Sequence, residues 1–191
     1  MSRIGILGGT FNPIHIGHLA MAETVREKMD LKKIIFVPAY IPPHKKIKDL
    51  ASADHRYNMV RLAIKGNPSF EISDFEIAKR GKSYTIETVL YFRKIYPQGT
   101  EFFFIIGGDM LLGLTGWKRI DEILGVVSFV AVNRPRYINK GKVIQHCAVT
   151  MPELDVSSSY LRQQICLGNS TKYLVPENVR RYIKKNKLYK K

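Results

Sequence analysis

Gly8-Gly9-Thr10-Phe11-Asn12-Pro13-Ile14-His15-Ile16-Gly17-His18 separates two kinds of hydrophobic pattern. Before it, Ile4, Ile6 and Leu7 form a short apolar run suited to a buried strand; after it, Leu19, Ala22, Val25 and Met29 recur at near-helical spacing. The stretch is therefore read as a strand-to-helix junction. Gly8 and Gly9 remove the Cβ atoms that would hold a ligand away from the backbone. The first N–H groups of the following helix lack partners inside it and point toward an anion. His15 and His18, three residues apart, share one face of that first turn and can donate hydrogen bonds to phosphate oxygens. Glycines alone would read as a tight turn. The histidines alone could begin a zinc site, but no cysteine or acidic residue lies near them at metal-ligand spacing. The spacing also departs from the G-x-G-x-x-G fingerprint and the Walker A loop, which disfavours a dehydrogenase or a P-loop ATPase.

Working outward, strand-like runs recur at residues 3–7, 33–37, 70–73, 102–106 and 126–132. Helical patterns cover 16–29, 54–65, 85–96, 119–124, 158–167 and 177–185. Gly66-Asn67-Pro68, Pro97-Gln98-Gly99 and Gly168-Asn169-Ser170 punctuate them. This alternation predicts an α/β fold with a parallel sheet, in one domain over residues 1–191 whose helical C-terminal part begins near 152. In open parallel sheets, ligands bind beyond the carboxyl ends of the strands, where strand order reverses. Gly8 and Gly9 follow the first strand, Pro38 through Lys45 the second, Gly107 and Asp109 the fourth, and Arg134 the fifth, which predicts one shared cleft.

The segment Gly9 to His18 resembles the G-x-F-D/N-P-x-H-x-G-H signature of the nucleotidyltransferases related to the HIGH-motif aminoacyl-tRNA synthetases. Val156-Ser157-Ser158-Ser159-Tyr160-Leu161-Arg162 is similar to the I-S-S-T-x-I-R element of bacterial nicotinate mononucleotide adenylyltransferases. Between them, in that family's order, lie Val37-Pro38 leading to Pro42-Pro43-His44-Lys45, Ser83-Tyr84-Thr85, Ile106-Gly107-Gly108-Asp109 with Trp117, and Asn133-Arg134-Pro135. The likeness spans nearly the whole chain and reaches Tyr173-Leu174-Val175-Pro176 before the last helix. Asn12 stands where Asp is common, Ser159 where Thr is usual, and Arg136 where Gly often follows Arg-Pro. His15 counts against the phosphopantetheine adenylyltransferases, and the long middle segment with Trp117 against short cytidylyltransferases.

The resemblance implies a Rossmann-like open sheet in the order 3-2-1-4-5 with helices on both faces. It also implies transfer of AMP from ATP to nicotinate mononucleotide, with Mg²⁺ carried mainly by the ATP phosphates. The expected catalytic residues are His15, His18 and Arg162. ATP would further meet Gly8, Gly9, Thr10, Phe11, Gly107, Asp109, Ser158 and Ser159, with Ser158 presenting both its backbone and its hydroxyl. Lys45, Thr85, Trp117 and Arg134 would bind the pyridine nucleotide. Read for itself, Asp109 could instead cap the helix after it, and Thr85 could be an ordinary helix-start residue.

Composition bounds these expectations. The 191-residue chain has 45% hydrophobic residues and lacks an apolar run long enough to span a bilayer, so a soluble cytoplasmic protein without membrane contact is expected. Cys147 and Cys166 form neither a C-x-x-C pair nor a disulfide framework. The formal charge of +15 would steer a polyanion such as ATP. A basic nucleic-acid-binding protein on a nucleotide-binding fold is the rival reading, but the chain carries no RNP, KH or zinc-finger signature. Arg180, Arg181, Lys184, Lys185, Lys187, Lys190 and Lys191 read as a solvated basic end, so a chain stopping at Asn186 is expected to keep its function. Oligomeric state leaves no signal.

Overall fold

In the computed structural model, which describes residues 1–42, 49–133 and 144–190, the chain alternates strand and helix as its hydrophobic pattern requires. The strands are β1 (Arg3–Gly9), β2 (Lys33–Pro38), β3 (Phe70–Ile72), β4 (Glu101–Gly107), β5 (Val127–Asn133) and β6 (His146–Thr150). They form one sheet in the order β3-β2-β1-β4-β5-β6, and every neighbouring pair is parallel. The expected order 3-2-1-4-5 is present, extended by a sixth strand beyond β5.

Helices cover both faces. On one, α1 (Ile16–Lys28), α2 (Ala53–Ile64) and α7 (Glu177–Lys185) pack Ala22, Val25, Met59, Val60, Val179 and Ile183 against Leu7, Phe36, Phe103, Ile105 and Val130. On the other, α4 (Thr85–Ile95) and α5 (Ile120–Leu124) pack Ile86, Val89, Phe92 and Ile123 against Ile4, Ile6, Ile35, Val37, Phe104 and Ile106. Successive strand residues point to opposite faces, so runs such as Ile34-Ile35-Phe36-Val37 are apolar throughout rather than alternating. Leu161 of α6 (Ser158–Cys166) joins the first cluster, and through it the last helices rest on the sheet.

Three elements lie outside the expected set: β6, the short α3 (Phe75–Lys79) and a 3₁₀ helix over Gly108–Gly116. The last occupies the stretch between β4 and Trp117. Strand order reverses between β1 and β4, where chain direction places the ends of both strands at one edge of the molecule. At Gly8 an added Cβ would lie 3.2 Å from the Phe104 ring, so a side chain there would press into the neighbouring strand.

Candidate functional site

The loop after β1 is gripped by two helix starts. His15 precedes α1 with extended backbone, and its N–H donates to His18 Nδ1 at 3.3 Å. A neutral imidazole that accepts at Nδ1 carries its proton on Nε2, which makes Nε2 the donor of the His18 ring. The two imidazoles lie 3.8 Å apart between centroids, and Phe11 meets His18 edge-on at 5.1 Å. Gly17 makes room for this arrangement: a Cβ there would fall 3.1 Å from His15 Nδ1. From the other side, Arg162 Nη1 donates to the Asn12 carbonyl at 2.9 Å and Nη2 to Ser159 Oγ at 3.3 Å.

Ser157, not Ser158, caps α6, accepting from the Tyr160 N–H at 3.2 Å. The Ser158 hydroxyl donates to the Pro13 carbonyl at 2.8 Å, while the first N–H groups of α6 lack intrahelical acceptors. The Phe11 side chain is 2% exposed, packed among His18 and Phe36, so its backbone is the part that can face a ligand. His15, His18, Ser158, Ser159 and Arg162 are thus brought together around residues 10–13.

Two braces behind this loop escaped the sequence reading. Arg56 of α2 is 1% exposed, and its guanidinium donates to the carbonyls of Ala51 at 3.0 Å, Thr10 at 2.9 Å, Tyr40 at 2.8 Å and also Ala39. One side chain therefore ties the ends of β1 and β2 to the start of α2. Its burial lowers its pKa, against the weaker opposing pull of Tyr189 and Glu76. The second brace is Asn12, whose Oδ1 accepts from the Ala51 N–H at 3.1 Å and the Tyr189 hydroxyl at 2.7 Å, and whose Nδ2 donates to the Asp49 carbonyl at 3.2 Å.

Tyr189 anchors the basic end of the chain through the same Asn12 oxygen. Lys184, Lys185, Lys187 and Lys190 are exposed, but Leu188 packs on the core and the Tyr189 phenol is buried far enough to raise its pKa strongly. A chain stopping at Asn186 would lose that contact. We expect Tyr189→Phe to cost about 1 kcal/mol, the scale of one lost hydrogen bond, and to lower Tm by about 2–4 °C. Lys187→Gln and Lys190→Gln should leave Tm unchanged. Thermal denaturation of the three variants distinguishes tail packing from tail charge, and an unaltered Tm for Tyr189→Phe would contradict the assigned brace.

On the far side of Thr10 a cleft opens, lined by Gly8, Gly9, Ala39, Pro42, Glu76, Ser83, Tyr84, Thr85, Phe104, Met110, Trp117 and Lys118. Thr85 is the first residue of α4, so its N–H belongs to the set without an intrahelical acceptor. Trp117 is half-buried, set edge-on to Phe104 at 5.8 Å and Phe129 at 6.0 Å, which fixes the indole while leaving part of it on the cleft. It is both a core neighbour and a cleft wall. The Lys118 ammonium stands 4.3 Å over the Tyr84 ring. Ser83 Oγ accepts the Tyr40 N–H at 2.9 Å, and Ser83 N–H donates to the Ile41 carbonyl at 3.0 Å, stitching the lead-in to α4 against the chain after β2.

Gly107 and Asp109 sit where β4 ends. Asp109 is exposed and makes no capping bond; a Cβ on Gly107 would lie 2.5 Å from its Oδ1, so the carboxylate folds over the glycine. Lys45 and Arg134 lie outside the described residues. Among the described residues no group of three or more His, Cys, Asp or Glu could hold a metal ion, and no helix is long and apolar enough to cross a membrane.

The cytidylyltransferase-like family model matches residues 6–164. A probable nicotinate-nucleotide adenylyltransferase from a Thermoanaerobacter species is 46% identical over 202 residues, covering 99% of this chain and 95% of that relative. One of the same description from Enterococcus faecalis is 41% identical, covering 98% and 84%. Among solved structures, Plasmodium falciparum nicotinic acid mononucleotide adenylyltransferase complexed with NaAD superposes with a TM-score of 0.83 at 20% identity, covering 99% of this chain and 98% of that one. That likeness speaks for the fold.

Proposed function

This chain belongs to the nicotinate-nucleotide adenylyltransferase family within the cytidylyltransferase-like group, and on that premise we propose that it transfers AMP from ATP to nicotinate mononucleotide. The mononucleotide's 5′-phosphate oxygen forms a bond to the α-phosphorus of ATP as the bond to the bridging oxygen breaks. Nicotinate adenine dinucleotide and pyrophosphate result. The nucleophile is already an anion, so no general base is needed; alignment and stabilisation of developing charge supply the rate.

The observation that carries this reading is the meeting of His18, Arg162 and the starts of α1 and α6 on one loop beside an aromatic-walled cleft. His15, His18, Arg162 and the α6 backbone at Ser158 and Ser159 take the triphosphate, assisted by the partial positive charge of both helix starts. Mg²⁺, arriving on those phosphates, would supply further neutralisation of the leaving pyrophosphate. Lys45 neutralises the attacking phosphate, Gly107 and Asp109 take the adenosine ribose, Arg134 flanks the pyridine nucleotide, and Thr85 offers its N–H to the nicotinate carboxylate.

Trp117 stacks on the pyridine ring in this scheme. Trp117→Ala should raise the KM for nicotinate mononucleotide roughly tenfold or more, on the scale of base–aromatic stacking, with little change in the KM for ATP. Equal effects on both substrates would remove the stacking role. The reaction itself is tested by following dinucleotide and pyrophosphate with ATP and a panel of phosphorylated acceptors, where equimolar products are expected with nicotinate mononucleotide. Absence of transfer, together with specific RNA binding at physiological salt, would favour the nucleic-acid-binding alternative instead.

A further inference from the structure

One buried charge in the cleft has no part in the scheme above. Glu76 of α3 is 8% exposed and is the one acidic side chain among the described residues lining the cleft. Its Oε1 accepts from the Thr88 hydroxyl of α4, and the Ser83 hydroxyl also favours its ionised form. Ser83 is in turn held by the Tyr40 N–H at 2.9 Å. The carboxyl group is therefore tethered from two sides, in a residue that lines the cleft together with the aromatic side chains of Tyr84, Phe104 and Trp117. No cation among the described residues forms a salt bridge with it: Lys79, one turn along the same helix, pairs with Glu87 at 2.6 Å, and Arg56 spends its guanidinium on four carbonyls, so both act on Glu76 only through the longer-range Coulomb field. Burial raises its pKa, the mark of a carboxylate that would gain from a positive neighbour.

Lys118 supplies the opposite charge, but at the exposed rim, over the Tyr84 ring. The cleft thus offers a negative charge inside and a positive charge at its mouth, a pattern that suits a dipolar ring. We infer that Glu76 is a specificity-determining residue that recognises the positive charge of a pyridinium ring, selecting N-linked pyridinium nucleotides over neutral aromatic nucleotides of the same shape. The inference rests on the assignment of this cleft to the pyridine nucleotide. It is separate from the choice between acid and amide, because both mononucleotides carry the same cationic ring.

The test compares nicotinate mononucleotide with its neutral isostere, in which a 3-carboxyphenyl ring is carbon-linked to ribose 5-phosphate, by calorimetric titration. The intact protein should bind the pyridinium form about tenfold more tightly, equivalent to ~1.4 kcal/mol. Glu76→Gln, which keeps the shape and a carbonyl acceptor for Thr88, should lose that preference while its affinity for the neutral isostere and its KM for ATP stay unchanged. Equal binding of the two ligands by the intact protein would overturn the inference and leave the adenylyltransferase reading standing. An equal weakening of both ligands in Glu76→Gln would also overturn it, by reducing Glu76 to a structural support. Should that variant not fold, the comparison on the intact protein decides alone. Binding of neither ligand would reject the cleft assignment, and the inference with it.

Discussion

His18→Ala and Arg162→Ala should each lower turnover by roughly two to three orders of magnitude, the scale for removing one preorganised donor to developing negative charge. Each residue also has a local structural bond, so the variants must be chosen to separate the two contributions. His18 accepts the His15 N–H through Nδ1, and an Asn side-chain oxygen can take over that bond without replacing the Nε2 donor. His18→Asn should therefore be as well folded as the parent and nearly as slow as His18→Ala. Arg162 reaches the Asn12 carbonyl with one nitrogen and Ser159 with another, leaving donors of its planar group for a phosphate. A lysine ammonium cannot reproduce that fork, so Arg162→Lys should recover only a small part of the rate. Steady-state rates with saturating ATP, read beside thermal denaturation, give the answer; a folded His18→Asn with near-parental turnover would remove His18 from the chemistry.

Arg56→Leu should destabilise the protein by about 3 kcal/mol or more, because it strips the donors from four carbonyls gathered around a side chain that is itself 1% exposed. The corresponding fall in Tm is about 6–12 °C for a chain of this size. The loss should extend to activity, since Thr10, Ala39 and Tyr40 frame the site and would no longer be held in one register. Arg56→Lys keeps the charge but offers three donors on a point rather than five on a plane, and should fall between the two. A Tm for Arg56→Leu within 2 °C of the parent, set against the 6–12 °C expected above, would show that the four bonds contribute little.

These three residues mark where sequence reading worked and where it stopped. The first five strands and six helices were legible to within two residues at each end because both faces of the sheet are covered, which forces long apolar runs and clear helical periodicity. His15, His18 and Arg162 were legible because a strand-to-helix junction needs few residue types, and their pattern resembles a known one. Arg56 was not, since an arginine on an amphipathic helix reads as solvent-facing unless the carbonyls it will meet, from loops distant in sequence, are known. Glu76 and Tyr189 were hidden for the same reason. β6 escaped because, as an edge strand, it buries only Val149 and shows no alternation, and α3 because five residues are too few to establish a period. The Gly108–Gly116 helix carries three glycines, which read as a turn until the packing of Leu111 and Leu114 outweighs their cost.

The central claim, adenylyl transfer to nicotinate mononucleotide, is tested most directly by the ratio of kcat/KM for nicotinate mononucleotide to that for nicotinamide mononucleotide, measured by pyrophosphate release with ATP. The two acceptors differ only in a carboxylate against an amide. A backbone N–H at the start of α4 and the Lys118 ammonium at the rim both favour the anion. One charge-assisted hydrogen bond contributes about 1.5–3 kcal/mol, so the acid should be preferred by roughly tenfold or more. Equal efficiencies, or a preference for the amide, would contradict the nicotinate assignment.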